Sequence, residues 1–144
     1  MNNVKFSCLV DTNDQTNTIG LDIFLNNDKQ FSENITGEKV ISFNIPNENK
    51  EWTITFKIYG KNSSHTTLDN NGNIIKSTEL SITNISFDEF DISNIIAIRP
   101  LTYLHNFNGN GEEINDKFFG IAGCNGTIEL NFRTPIHIWL LENM

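Results

Sequence analysis

Apolar and polar side chains alternate along much of this chain. Val4, Phe6, Cys8 and Val10 share one side of a first run; Leu21, Ile23 and Leu25 follow, then Ile41, Phe43 and Ile45, then Trp52, Ile54, Phe56 and Ile58. Shorter runs carry Leu80 and Ile82, then Ile128, Leu130 and Phe132, then Ile136, Ile138 and Leu140. A period of two puts successive side chains on opposite faces of an extended backbone, so each run predicts a strand with one face on a core. No window shows a 3.6-residue period of comparable length. Asn, Asp and Gly punctuate the runs, as in Asn26-Asn27-Asp28, Asp69-Asn70-Asn71-Gly72-Asn73 and Cys124-Asn125-Gly126. These residues accept left-handed backbone or hydrogen-bond their own main chain, which makes them turn formers. About eight antiparallel strands so joined predict an all-β fold, a jelly-roll-like β-sandwich. It forms one domain over residues 1–144. An immunoglobulin-type sandwich is the alternative, but its Cys and Trp spacing is missing.

Composition agrees with sheet. The chain has 20 Ile, 13 Thr and 11 Phe against two Ala, so residues that favour a pleated surface outnumber good helix formers. With 38% hydrophobic and 19% charged residues it is too apolar for a disordered chain. Its net charge of -8 repels a phosphate backbone and no basic stripe offsets it, so no nucleic-acid partner is expected. No run approaches the ~18 apolar residues of a membrane span, and the first residues lack a signal-peptide pattern; a soluble protein without membrane insertion is expected. Cys8 and Cys124 have no metal-type spacing and read as free thiols.

Catalysis needs a nucleophile, a base and an orienting group in one place. His65, His105 and His137 lie far apart in sequence, and no phosphate loop, His-Glu-x-x-His or Gly-x-Ser-x-Gly motif is present. No enzyme is expected. Oxygen ligands for a hard cation are available in the loop carrying Asp69 and Asn71 and in the cluster carrying Asp88 and Asp91, with Glu112, Glu113 and Asp116 as a third group. Calcium is the one cofactor these residues suggest; a hairpin turn and solvated charge are the competing readings.

A sugar ring stacks its apolar face on a flat side chain while amides and carboxylates bond its hydroxyls. Trp52, Tyr59 and Tyr103 are candidate platforms, and Asn106 and Asn108 candidate amides; core packing is the competing account of the aromatics. The segment Pro135 to Leu141 stands out. Read as a strand, it has Ile136, Ile138 and Leu140 inside and His137, Trp139 and Leu141 on the other face, so neither face is polar. Such a strand is covered on both sides, by the long loop from Tyr103 to Phe119 or by another subunit. His137, Trp139 and Leu141 are therefore a candidate interface for self-association.

The stretches Asp69-Asn70-Asn71-Gly72-Asn73-Ile74-Ile75, Ile82 to Asp88, Phe118 to Thr127 and Pro135 to Asn143 resemble small virion-associated jelly-roll proteins of tailed bacteriophages, themselves similar to carbohydrate-binding modules. The resemblance runs from about Ile45 onward. It implies a non-enzymatic structural role in a virus particle assembled in the host cytoplasm, as a capsid decoration, neck or tail-associated module with other virion proteins as partners. The alternative it implies is recognition of a host-surface glycan, with or without calcium.

Overall fold

The computed structural model of the chain describes residues 3–12, 14, 17–60, 66–68, 70–72, 74–98, 101–105, 113–118, 120–122 and 125–143, with the backbone alone at 66–68 and 74–77. The alternating runs form strands as expected, except the last, Ile136, Ile138 and Leu140. In chain order these are β1 (Asn3–Asp11), β2 (Ile19–Leu25), β3 (Asp28–Ile35), β4 (Glu38–Pro46), β5 (Lys50–Tyr59), β6 (Thr66–Leu68), β7 (Ile74–Ser77), β8 (Leu80–Phe87) and β9 (Phe90–Asp91). After helix α1 (Ser93–Ile98) come β10 (Leu101–His105), β11 (Ile114–Phe118), β12 (Ile121–Ala122), β13 (Gly126–Thr134) and helix α2 (Ile136–Asn143). One sheet has the order β12-β8-β1-β4, with β9 also paired to β8; the larger has the order β11-β10-β13-β5-β2-β3; β6 and β7 form a separate ribbon. Every pairing is antiparallel. The result is an all-β sandwich; the strand orders do not establish the finer jelly-roll connectivity.

The core is the in-phase set of each run. Val4, Phe6 and Val10 on β1 meet Leu21 and Ile23 on β2, Ile54 and Phe56 on β5, and Ile128 and Leu130 on β13, all buried. Phe6 and Phe87 from the smaller sheet reach Phe56 and Phe132 of the larger, with ring centroids 6.3 and 4.8 Å apart. Rings of this size bury the most apolar area per residue, so these contacts contribute heavily to holding the sheets together.

The alternation slips once, for a local reason. On β8 the buried residues are Leu80, Ile82, Ile85 and Phe87, and the odd interval coincides with a bulge where Asn84 takes φ 53° and Cys8 of β1 faces the extra residue. Asn tolerates the left-handed conformation, so the bulge restores the hydrophobic phase downstream.

Two hairpin turns are tied to neighbouring strands by the same device. Asn26, at φ 54°, donates its N–H to Thr53 O and accepts the Thr53 N–H on Oδ1 at 2.8 Å. Asp88, at φ 50°, donates its N–H to Lys5 O and accepts the Lys5 N–H on Oδ1 at 2.8 Å. In each case a side-chain oxygen replaces the backbone carbonyl that the turn has carried away, so the ladder continues for one more pair.

Two expectations are corrected. The expected loop from Tyr103 to Phe119 carries strand in its described parts: β10 and β11 pair from Leu101↔Phe118 to His105↔Ile114. Pro135 to Leu141 is no strand: it enters helix α2 through a cis Thr134–Pro135 peptide. Pro cannot donate to a sheet ladder but fits a helix entrance, and the side chain of Asn47 accepts the Ile136 N–H at 2.9 Å, satisfying one of the unpaired donors there. The helix buries Ile136, Trp139 and Leu140, at the i, i+3, i+4 spacing of one helical face.

Candidate functional site

The helix redistributes the expected interface. Trp139 is 9% exposed and points inward, with its ring 6.1 Å from Phe87 and 6.3 Å from Phe132. It therefore leaves the outward set, whereas His137 and Leu141 stay outside. Ile138, expected inside, is 48% exposed and joins Leu141 at 72%. Leu141 is four positions from His137 and three from Ile138, so it lies between them on one side of the helix.

Most of the expected sugar platforms are in the core. Trp52 is 8% exposed; its indole N–H donates to Thr134 Oγ1 at 2.9 Å, and Lys50 Nζ lies 4.3 Å from the ring centroid. Tyr103 is buried against His105 and Phe118, at 4.6 and 5.9 Å between centroids. Neither stands out as an exposed stacking platform. Asn106 and Asn108 lie outside the described residues. Trp52 and Trp139 line an open groove of about 490 Å³ with Thr53, Asn131 and Arg133. Its rim is already engaged: Thr53 Oγ1 bonds Asn131 Oδ1 at 2.7 Å and Arg133 pairs with Glu142.

Two of the proposed cation ligands have structural tasks. Asp88 ties its turn to Lys5, and Asp91 Oδ1 accepts the Ser93 N–H at 2.7 Å at the entrance of α1. Asp69 lies outside the described residues, and Asn71 is exposed in the turn between β6 and β7. Among the described residues no three His, Cys, Asp or Glu side chains gather to hold a metal. Asp116 Oδ2 lies 2.9 Å from His105 Nε2, a contact joining β11 to β10. Burial pushes the Cys8 thiol up to about 12, so it stays protonated and unreactive near neutrality. Cys124 lies outside the described residues. No helix among them is long and apolar enough to cross a membrane.

One expected platform remains, and it lies on the outer face of the larger sheet. On β5 the inward residues are Trp52, Ile54, Phe56 and Ile58, so Thr53, Thr55, Lys57 and Tyr59 point outward. In register, Tyr59 lies opposite Gly20, Lys57 opposite Asp22 and Thr55 opposite Phe24. Gly20 carries no side chain, and the Tyr59 ring occupies the space: a β-carbon at Gly20 would stand 2.2 Å from Tyr59 Cε2. The ring is thus laid down over the neighbouring strand. Its hydroxyl donates to Asp22 Oδ1 at 3.2 Å, the same oxygen takes a hydrogen bond from Ser32 at 2.5 Å, and Lys29 Nζ lies 3.8 Å from Oδ2. Lys29 also lies 5.7 Å from the centroid of the half-buried Phe24 ring.

The arrangement is an aromatic ring held flat beside a fixed carboxylate, flanked by two ammonium groups and a second ring. It can stack an apolar ligand face and bond hydroxyls around it. Sequence reasoning found Tyr59 but missed Phe24, Asp22 and Gly20. A signal was present: Tyr59 and Phe24 are the aromatics out of phase with the core positions of β5 and β2. Comparisons with protein-family models, with curated proteins and with solved structures return no match.

Proposed function

We propose that this protein is a non-enzymatic carbohydrate-binding module whose glycan lies across the outer face of the larger sheet, with one sugar ring on Tyr59. The observation that carries this reading is the clamped tyrosine. Gly20 beneath it and Asp22 at its hydroxyl remove much of the ring's freedom before any ligand arrives, which lowers the entropy lost on binding. Asp22 has acceptor lone pairs for a sugar hydroxyl, and the exposed Lys57 adds donors beside it. A flat, shallow site suits a polymer passing over the sheet better than a small molecule that must be enclosed. The test is a glycan array followed by calorimetry on the wild type and Tyr59→Ala, with calcium and with chelator. Loss of affinity by about tenfold in the variant is expected from removing one stacked ring. Equal affinity in both proteins, or no glycan bound by the wild type, overturns the reading. A calcium requirement would direct attention to Asp69 and to the turns carrying Asn71 and Asp88.

A second reading keeps one specific observation. Ile138 and Leu141 stand in solvent on the outward face of α2 beside His137, an apolar patch on a chain of net charge -8. That favours an assembly role, as a bacteriophage virion module joined through α2 to its own copies or to other particle proteins. Light scattering checks it: an oligomer that Leu141→Ser dissociates supports assembly, and a wild-type monomer that ignores particle proteins removes it.

A further inference from the structure

We infer that the platform selects an acidic glycan, with the sugar carboxylate held by Lys57; this rests on the reading of Tyr59 as the stacking ring. Lys57 and Tyr59 are two residues apart on one face of β5, so their α-carbons are about 7 Å apart along the strand. On one face of a strand that separation makes the two side chains neighbours. Lys57 also stands directly opposite Asp22 in the strand register, where an ion pair is the ordinary outcome for an ammonium and a carboxylate. The pair does not form. Asp22 is turned to Ser32, Tyr59 and Lys29, and among the described residues no carboxylate comes within 4.0 Å of Lys57 Nζ.

Lys57 is flanked on its other side by Thr127 of β13 and is exposed. An ammonium left unpaired beside a fixed ring is positioned to meet an anion from outside, a local exception on a chain whose net charge of -8 repels anions elsewhere. Asp22 meanwhile faces the ring's other neighbours and is suited to a hydroxyl. A sugar bearing both groups, a uronate or a sialate, matches this order of ring, cation and carboxylate. A neutral sugar can accept a hydrogen bond from Lys57 but leaves its charge unmatched.

The test compares sialylated and uronate-containing glycans with their methyl esters, which keep the ring and remove the charge. Wild type should bind the acids about tenfold more tightly than the esters. Lys57→Gln should bring the acids down to the level of the esters, and Lys57→Arg should retain the preference. Tyr59→Ala should weaken acids and esters alike. Equal binding of acids and esters by the wild type, or a preference untouched in Lys57→Gln, overturns the acidic selection while leaving the platform intact. Unchanged binding in Tyr59→Ala overturns the platform itself, and the selection with it. Unaltered thermal midpoints in the Lys57 variants show that binding, not folding, has changed.

Discussion

The ring of Tyr59 fills the place where Gly20 has no side chain: a β-carbon there would lie 2.2, 2.5 and 2.6 Å from three ring atoms. Gly20→Ala must therefore lift the ring and break its bond to Asp22. A cost of about 1 kcal/mol is expected from the lost hydrogen bond and contact. In a Tyr59→Ala background the same substitution should cost far less, because nothing remains to collide with. Urea denaturation of the four proteins measures the coupling. Equal costs in both backgrounds would show that the ring does not depend on Gly20.

Trp139 and Leu141 are two residues apart on α2 and should behave oppositely. Trp139→Ala empties a place between Phe87 and Phe132, and a loss of about 3 kcal/mol or more is expected. Leu141→Ser, at an exposed position, should change stability by less than about 0.5 kcal/mol. Were the segment a strand with Trp139 outside, the tryptophan variant would be nearly as stable as wild type. Chemical denaturation distinguishes the two.

The indole of Trp52 depends on one hydroxyl. Thr134 Oγ1 accepts its N–H at 2.9 Å and donates in turn to the main-chain carbonyl of Glu48. Thr134→Val preserves shape and leaves the buried N–H unmatched, with an expected loss of about 1–3 kcal/mol. Trp52→Phe combined with Thr134→Val removes both partners, so the double variant should lose less than the sum of the two single changes.

Cys8 gives the protein an alkaline limit. Its thiol has an ordinary value of 9.0 and is held at about 12 by burial. Below pH 9 both folded and unfolded chains keep the proton. Between pH 9 and 12 the unfolded chain releases it first, so stability falls as pH rises, by on the order of 1 kcal/mol per pH unit. Tyr and Lys also titrate there, so the measurement is the difference in slope between wild type and Cys8→Ala. Parallel curves would mean that the thiol is not shielded.

Asp88→Ala should cost about 1 kcal/mol by releasing the Lys5 N–H, whereas Asp88→Asn keeps an oxygen in the same place and should be nearly neutral. If the aspartate served only as a cation ligand, both variants would match wild type in the presence of chelator. Thermal melts with and without calcium separate the cases.

The inward residues of β1, β2, β5 and β13 could be read from the chain alone, because strand periodicity is a local property of consecutive residues and the core wants every second side chain. The same parity put Tyr59 outside. The last helix was not legible in this way: Ile136, Ile138 and Leu140 satisfy a period of two while Ile136, Trp139 and Leu140 satisfy a helical face, and eight residues are too few to choose between them. The choice came from outside the segment, through Asn47 at the helix entrance and the space between Phe87 and Phe132. The burial of Trp52 and Tyr103 likewise depends on what packs against them. For the candidate site, sequence determined the residue types and their side of the strand. That Gly20 lies beneath Tyr59, and Asp22 across from Lys57, was decided by strand register, which joins residues 39 and 35 positions apart and is set by how two hydrophobic faces close on one another.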